Sequence, residues 1–148
     1  MTVSLDGCSR QKDNTLNLSL ARMADILIMN AVYPRAVSGC ADSGAALKFF
    51  SELGPKKAVI MTLGGEGCLA LIDGEVRHFG AYPVKAVDTT GAGDVFHGAF
   101  LARYLEGYSV PDCIRFASAA SAMKCTVPGG RAGIPAKESL EAFLARNV

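Results

Sequence analysis

Two almost uninterrupted apolar runs, with a helical segment between them, restrict this chain to a narrow group of folds. Residues 25–29 (DILIM) and 58–63 (AVIMTL) have the length of strands and lack the polar alternation of a half-exposed sheet. Runs of this kind are typical of strands that are covered on both faces. Residues 44–53 carry apolar side chains at helical spacing and end at Gly54-Pro55, a common helix stop. A strand, a helix and another strand in this order predict parallel pairing in an α/β protein.

The remaining segments extend the same alternation. Residues 68–72 and 76–79 flank a DGE tight-turn sequence, which predicts a β-hairpin. Extended or helical patterns recur in five further segments: residues 3–5 as a strand, and residues 16–23, 95–105, 111–122 and 136–146 as helices. We therefore predict one layered α/β domain over residues 1–148, with a mostly parallel sheet that is flanked by helices.

Composition argues against several classes of function. The 148-residue chain has a net charge of +1, no tryptophan and no run of basic residues, so nucleic-acid binding is not expected. No apolar run approaches the roughly 20 residues of a membrane span, and the first residues lack the pattern of a signal peptide. The five cysteines form no CxxC pair. We expect reduced thiols in a cytoplasmic protein rather than disulfides or a zinc site.

The glycine-containing sequence DTTGAGD, residues 88–94, follows an extended segment and precedes the helix predicted at residues 95–105. Helix N-termini leave backbone N–H groups unpaired and carry partial positive charge, so they attract phosphate oxygens. Gly91, Ala92 and Gly93 keep side chains small where the backbone would approach an anion. The loop therefore predicts an anion hole.

Asp94 distinguishes this loop from a simple phosphate cradle. A carboxylate repels phosphate, but it can take the proton of a hydroxyl that attacks a phosphorus atom held by the neighbouring N–H groups. The alternative interpretation is a capping aspartate in an ordinary glycine turn. Two other phosphate motifs do not match: Phe96 stands where a dinucleotide G-x-G-x-x-G fingerprint needs glycine, and no Walker A loop occurs.

The DTTGAGD loop and the VFHGAF segment that follows it closely resemble the second signature of the ribokinase/PfkB family of carbohydrate kinases. Three further stretches resemble that family in the same order: TVSLDG with ADILIMN, then MTLGGEG, then FASAASAMKCTVPGGRAG. The resemblance implies the C-terminal portion of a ribokinase-like fold. It also implies a function: ATP, bound with Mg²⁺, would give its γ-phosphate to a sugar or a related alcohol.

The same resemblance assigns roles to individual residues. It implies that Asp94 is the catalytic base and that the three residues before it form the anion hole. It implies a nucleotide site made of nine residues: Asn30, Thr62, Leu63, Gly64, Gly65, Glu66, Gly67, Gly93 and Ser118. Two plainer interpretations stay open, a strand-to-hairpin connection for residues 62–67 and a helix-packing role for Ser118.

A monovalent cation, K⁺, is also implied beside the anion hole. Asp88 and Thr90 match one side of that site, and backbone carbonyls of four residues would complete it: Lys124, Val127, Gly129 and Gly133. Hard cations take oxygen ligands, and irregular glycine loops expose carbonyl groups. Asp88 could equally cap the local turn, so both interpretations stay open.

Two departures from the family pattern matter. The family's Asn-x-x-Glu segment begins here with Asn30, but Tyr33 replaces the glutamate, and a neutral phenol lacks the charge of a carboxylate. The family's N-terminal half, with the sugar-contacting residues and the lid, has no counterpart in the sequence. Two rival hypotheses follow: a nucleotide-binding remnant or regulatory module without turnover, and an interaction domain that keeps only the scaffold. We expect the chain to form a homo-oligomer or to bind the missing half.

Overall fold

The computed structural model describes residues 1–8 and 14–147 and contains two compact units, Met1–Phe79 and Gly80–Val148. The first unit consists of five strands and three helices: β1 (Ser4–Gly7), α1 (Asn14–Met23), β2 (Ile26–Asn30), α2 (Val32–Ser38), α3 (Ser43–Glu52), β3 (Ala58–Thr62), β4 (Cys68–Ile72) and β5 (Glu75–Phe79). The second unit consists of three helices: α4 (Ala92–Leu105), α5 (Val110–Lys124) and α6 (Lys137–Arg146).

The five strands form one sheet in the order β1-β2-β3-β4-β5. The first three strands are parallel, and the last two add an antiparallel hairpin. Its turn has positive φ at Asp73 (53°) and Gly74 (80°), as a type I′ hairpin turn requires. The first four residues of β3 are all buried, as expected for a strand without polar alternation. The structure confirms the predicted α/β class, with parallel strands, flanking helices and one hairpin.

Alternate residues of β2 and β3 form one side of the core in the first unit. Leu27 and Val59 are buried with Leu47 and Phe50 of α3, both of which are fully buried. Full burial of a side chain of this size contributes about 1.5–3 kcal/mol relative to its exposed state. Since Leu47 and Phe50 are three residues apart, they share one face of α3. The predicted apolar stripe of that helix is therefore the surface that covers the sheet.

The sequence pattern did not predict helix α2. The Asn30 side chain starts it, because its Oδ1 accepts the N–H groups of Val32 (3.0 Å) and Tyr33 (2.9 Å). Pro34 follows in the first turn, where the missing N–H of proline costs no intrahelical hydrogen bond. Seven residues that include a proline are too few to show a clear helical period.

Helices α4 and α5 of the second unit pack along each other through small and aromatic side chains. Val95 of α4 is buried with Phe116, Ala119 and Ala120 of α5 and with Leu140 of α6. The small alanine side chains at this contact leave room for the neighbouring helices. None of the helices within residues 1–8 and 14–147 is both long and apolar enough to cross a membrane.

Candidate functional site

Residues 88–94, which we call the Gly91 loop, lead directly into α4. Gly91 is the N-cap residue and has a φ of 75°, in the left-handed region that favours glycine. A Cβ atom added at Gly91 would lie 3.0 Å from the carbonyl oxygen of Gly130. Both the backbone conformation and the lack of space therefore require glycine at this position.

The first turn of α4 offers N–H groups to an anion. Gly93 and Asp94 are the second and third residues of the helix, and N–H groups at these positions have no acceptor within a helix. The N–H of Ala92 is already used, because it donates to the carbonyl of Thr89 at 3.1 Å. Among the described residues no hydrogen bond is donated by the N–H of Gly91 or of Gly93, so two of the three residues predicted to form the anion hole keep a free N–H.

Asp94 lies beside these N–H groups and is exposed. Within the part of the chain that the structure describes, its carboxylate accepts no hydrogen bond and forms no ion pair. It borders an open cavity of about 380 Å³ that is also lined by Thr90, Gly130 and Arg131. An acidic residue, Asp94, and a basic residue, Arg131, thus border one solvent-accessible space together with Gly91.

Asp88 holds the start of the Gly91 loop to the segment after α5. Its Oδ1 accepts the N–H of Thr90 at 2.8 Å, and its Oδ2 accepts the N–H of Gly129 at 2.7 Å. The hydrogen bonds from Thr90, with those from Gly129 and the charge of Lys124, lower the pKa of Asp88 to about 2. Backbone N–H donation favours the ionised carboxylate, so Asp88 is charged at neutral pH.

Lys124 is the functional side chain that the sequence reasoning missed. It was expected to contribute only a backbone carbonyl, but its side chain is fully buried and its Nζ donates to the carbonyl oxygen of Asp88 at 2.8 Å. A sequence signal existed: Ala117, Ala120 and Lys124 follow helical spacing, and all three are buried on α5. A lysine on the apolar face of a helix indicates a buried partner.

The residues expected around a monovalent cation are close together, and two carbonyl oxygens there, those of Asp88 and Lys124, already accept hydrogen bonds. The Lys124 carbonyl accepts the N–H of Val127 at 3.3 Å, and it would lie 2.5 Å from a Cβ atom added at Gly133. Gly129 contributes its N–H to Asp88. A free cation at the Asp88 carbonyl would meet the Lys124 ammonium, and like charges at contact distance repel. A K⁺ ion therefore fits this arrangement poorly.

Residues 62–67 of the first unit, which we call the Gly64 loop, connect β3 to β4 by their own backbone. The N–H of Leu63 donates to the Gly67 carbonyl at 2.7 Å, and the N–H of Gly67 donates to the Gly64 carbonyl at 3.0 Å. His78 Nε2 lies 2.7 Å from the Glu66 carbonyl, so this histidine also contacts the loop. Gly64, Gly65 and Glu66 are exposed.

Of three other predicted positions, two have hydrogen-bond partners and the third is buried. The Asn30 side chain caps α2, and its Nδ2 donates to the Cys8 carbonyl at 3.3 Å. Thr62 Oγ1 donates to the carbonyl of Met29 at 3.3 Å. Ser118 is buried in α5, whereas Ser121, one turn later, donates its hydroxyl to the carbonyl of Ala92 at 2.9 Å.

Tyr33, the residue in place of the family's glutamate, belongs to the core of the first unit. It is 3% exposed and lies 5.9 Å from Phe50, between ring centroids. Its hydroxyl donates to the Asn17 carbonyl at 3.4 Å. Burial raises the pKa of Tyr33, with a smaller contribution from Cys8.

These features define an α/β protein whose glycine loop opens a helix beside an unpaired carboxylate. The family model for pfkB family carbohydrate kinases matches residues 5–137. The chain therefore belongs to the pfkB family of carbohydrate kinases, as the sequence motifs indicated.

Individual relatives agree with this assignment. The chain is 34% identical over 133 residues to a ribokinase of Haemophilus influenzae, covering 87% of this chain and 44% of that one. The crystal structure of Thermotoga maritima ribokinase matches 97% of this chain and 49% of its own, with 36% identity and a TM-score of 0.85. The structure of Arabidopsis thaliana ribokinase with ribose and ATP matches 97% of this chain and 47% of its own, with 31% identity and a TM-score of 0.82. The chain thus spans about half the length of these relatives.

Proposed function

We propose that this chain is the nucleotide-binding and catalytic half of an ATP-dependent carbohydrate kinase, with Asp94 as the general base. The observation that carries the proposal is the state of the Asp94 carboxylate. It is exposed beside helix-start N–H groups and has no hydrogen-bond partner among the described residues. An acid that served as a cap would accept an N–H of its own turn. A free carboxylate here is instead suited to receive a proton.

In the proposed reaction, the carboxylate of Asp94 accepts the proton of a substrate hydroxyl. The hydroxyl oxygen attacks the γ-phosphorus of ATP, and the bond from that phosphorus to the bridging oxygen breaks, releasing ADP. The N–H groups of Gly93 and Asp94 stabilise the charge on the transferring group, because they are oriented before the reaction begins. Arg131, which lines the same cavity, supplies positive charge near the phosphates.

Mg²⁺ would neutralise charge on the ATP phosphates during transfer. This ion keeps several waters and binds through one or two carboxylates together with the phosphates. Among the described residues there is no group of three or more His, Cys, Asp or Glu side chains that could hold a metal. We therefore assign Mg²⁺ to the bound nucleotide, without an all-protein cage.

We assign further nucleotide contacts to the exposed backbone of the Gly64 loop. Its turn is held by its own hydrogen bonds, and a Cβ atom added at Gly65 would meet no atom within 4 Å. The backbone is thus fixed while the space above it is open. We assign no direct nucleotide contact to the side chains of Asn30 and Ser118, because Asn30 caps α2 in the first unit and Ser118 is buried in α5 of the second unit.

The first test is binding of ATP with Mg²⁺ to the 148-residue chain, measured by titration calorimetry. We expect weak but saturable binding, since the anion hole and the Gly64 loop are present. Turnover should require an acceptor site, because positioning of the acceptor contributes roughly 7–11 kcal/mol of barrier reduction. Absence of ATP and ADP binding would contradict the proposal and favour the interaction-domain hypothesis.

The second test uses a hybrid in which this chain replaces the matching segment of the Haemophilus influenzae ribokinase. A coupled assay with ribose and a panel of other sugars measures ATP-dependent phosphorylation. We expect activity in the hybrid and little in the 148-residue chain alone. A folded hybrid that binds ATP without turnover would favour the second candidate, a nucleotide-binding module. The burial of Tyr33, in place of a family carboxylate, is the observation that supports this second candidate.

A further inference from the structure

Lys124 is the one residue with a formal charge that is buried among those described, and it is fully buried. An ammonium group loses strong interactions with water on burial, so it needs close polar partners. Its Nζ donates to the Asp88 carbonyl oxygen at 2.8 Å. The nearby Asp88 carboxylate, held ionised mainly by hydrogen bonds from Thr90, supplies the opposite charge.

Packing alone does not account for a charge at this position. Lys124 is the last residue of α5, and the other buried residues of that helix are small, apolar or uncharged. A methionine would fill a similar volume without the cost of desolvating an ammonium. The charge is favourable at a helix C-terminus, but an exposed lysine would give that benefit at a lower cost.

The contact of Lys124 fixes the loop that starts the candidate anion hole. The Asp88 carbonyl accepts the ammonium, while the Asp88 carboxylate accepts the N–H groups of Thr90 and Gly129. Every polar group of Asp88 is then engaged, because its N–H donates to the Cys125 carbonyl at 3.1 Å. One positive charge thus lies against the Asp88 carbonyl oxygen, near the ionised Asp88 carboxylate, at the start of the Gly91 loop.

We propose that the Lys124 ammonium is a tethered cation that takes the place of a free monovalent ion and positions the Gly91 loop for anion binding. An ammonium nitrogen resembles K⁺ in charge and size and bonds to the same carbonyl oxygens. Because it is covalently attached, it needs no ion from solution. The chain should therefore fold and bind phosphate groups equally well with K⁺, Na⁺ or an organic cation.

The nucleotide part of this inference rests on the proposed function, but the stability part does not. We would measure thermal unfolding midpoints and ATP affinities of the 148-residue chain in KCl, NaCl and choline chloride at equal ionic strength. We expect the same midpoint in all three salts and ATP dissociation constants that agree within about twofold. A midpoint or an affinity that rises specifically with K⁺ would overturn the proposal.

Two variants separate positioning from packing. Lys124→Ala removes the ammonium and leaves space, whereas Lys124→Met removes the charge and fills the space. In choline chloride both should bind ATP at least about tenfold more weakly than the wild type. K⁺ or NH₄⁺ should restore affinity in Lys124→Ala but not in Lys124→Met. A merely structural lysine would not give this rescue.

Lys57→Met serves as the matched control, because Lys57 is exposed and its side chain hydrogen bonds only to the Thr2 hydroxyl among the described residues. It should behave like the wild type in all three salts. Wild-type affinity of Lys124→Met in choline, or the absence of rescue in a folded Lys124→Ala, would contradict the proposal. If neither variant folds, the unfolding midpoints and ATP affinities of the wild type in the three salts still test the proposal. If the wild type binds no ATP in any salt, the proposed function fails, and the unfolding midpoints still test Lys124.

Discussion

The Gly91 loop and the Gly64 loop are both glycine-rich turns at the end of an extended segment, but they are held in opposite ways. The Gly91 loop depends on distant groups: the Gly129 N–H and the Lys124 ammonium both bind Asp88. The Gly64 loop closes largely on itself through three backbone hydrogen bonds, and its Glu66 carbonyl also contacts His78 Nε2 at 2.7 Å. Contacts from distant residues can stabilise a left-handed backbone at Gly91 while the Asp94 carboxylate stays free. A turn that is closed mainly by its own hydrogen bonds offers only backbone groups to a ligand.

This difference has a functional consequence for each loop. Chemistry needs groups that are held within a fraction of an ångström, so the Gly91 loop should tolerate few substitutions. Contact with a nucleotide through exposed backbone needs only a stable turn, so the Gly64 loop should tolerate small side chains. Substitutions in the two loops and in the residues around them test this contrast.

Asp94→Asn should have the largest effect. Asparagine keeps the size of the side chain but cannot accept the proton, so kcat of the hybrid kinase should fall about 10²–10⁴-fold with nucleotide affinity nearly unchanged. Steady-state kinetics and ATP calorimetry measure the two quantities. Asp112→Asn is the matched control, because Asp112 also lies in the first turn of an exposed helix start, and it should leave kcat unchanged. A variant at Asp94 with more than about a third of wild-type kcat would exclude it as the base.

Tyr33→Glu restores the family's carboxylate but should mainly destabilise the first unit. The side chain is 3% exposed and packs near Phe50, so the new carboxylate would be buried without a charged partner. We expect a loss of more than about 3 kcal/mol in the free energy of unfolding. Urea denaturation measures it, with Tyr33→Phe as the control. That control should lose only about 0.5–1.5 kcal/mol, the usual contribution of one hydrogen bond. A stable Tyr33→Glu variant would mean that this position can turn towards solvent.

Gly91→Ala and Gly65→Ala compare the two loops directly. At Gly91 the added methyl group meets the Gly130 carbonyl and the φ of 75° is strained, so we expect a loss of about 1–3 kcal/mol. At Gly65 nothing lies within 4 Å, and alanine should change stability by no more than about 1 kcal/mol. Urea denaturation of both variants gives the comparison. Equal losses would show that the loops are constrained alike.

The lowered pKa of Asp88 predicts a smaller effect, a contribution to the free energy of unfolding that depends on pH. Its folded-state pKa of about 2 lies below the ordinary 3.8, because the N–H groups of Thr90 and Gly129 favour the ionised form. The resulting stability is fully present above pH 3.8 and is lost as the pH falls towards 2. The difference in unfolding free energy between wild type and Asp88→Asn should therefore shrink over that range. A difference that stays constant down to about pH 2 would contradict the hydrogen-bonded carboxylate.

The family and the order of the elements could be predicted because their signals are local. The spacing of apolar residues located β2, β3 and α3 to within one or two residues. The DTTGAGD motif alone indicated that Asp94 lies at a helix start. The roles given to the site residues remain proposals. Their positions are known, and only part of the predicted nucleotide set keeps polar groups that are open to a ligand.

Local sequence patterns were enough to predict the order of strands and helices, the positions that require glycine, and the acid at the start of a buried helix. These properties depend on residues a few positions apart. The partner of Lys124 could be found only from the tertiary structure, because the Asp88 carbonyl lies 36 positions earlier in the chain. The packing of α4 on α5 brings the two groups together. The same holds for Tyr33, whose place in the core depends on α3 and on the carbonyl of Asn17. A charge or a phenol has no fixed role in the sequence, since burial and partner are set by the packing of distant segments.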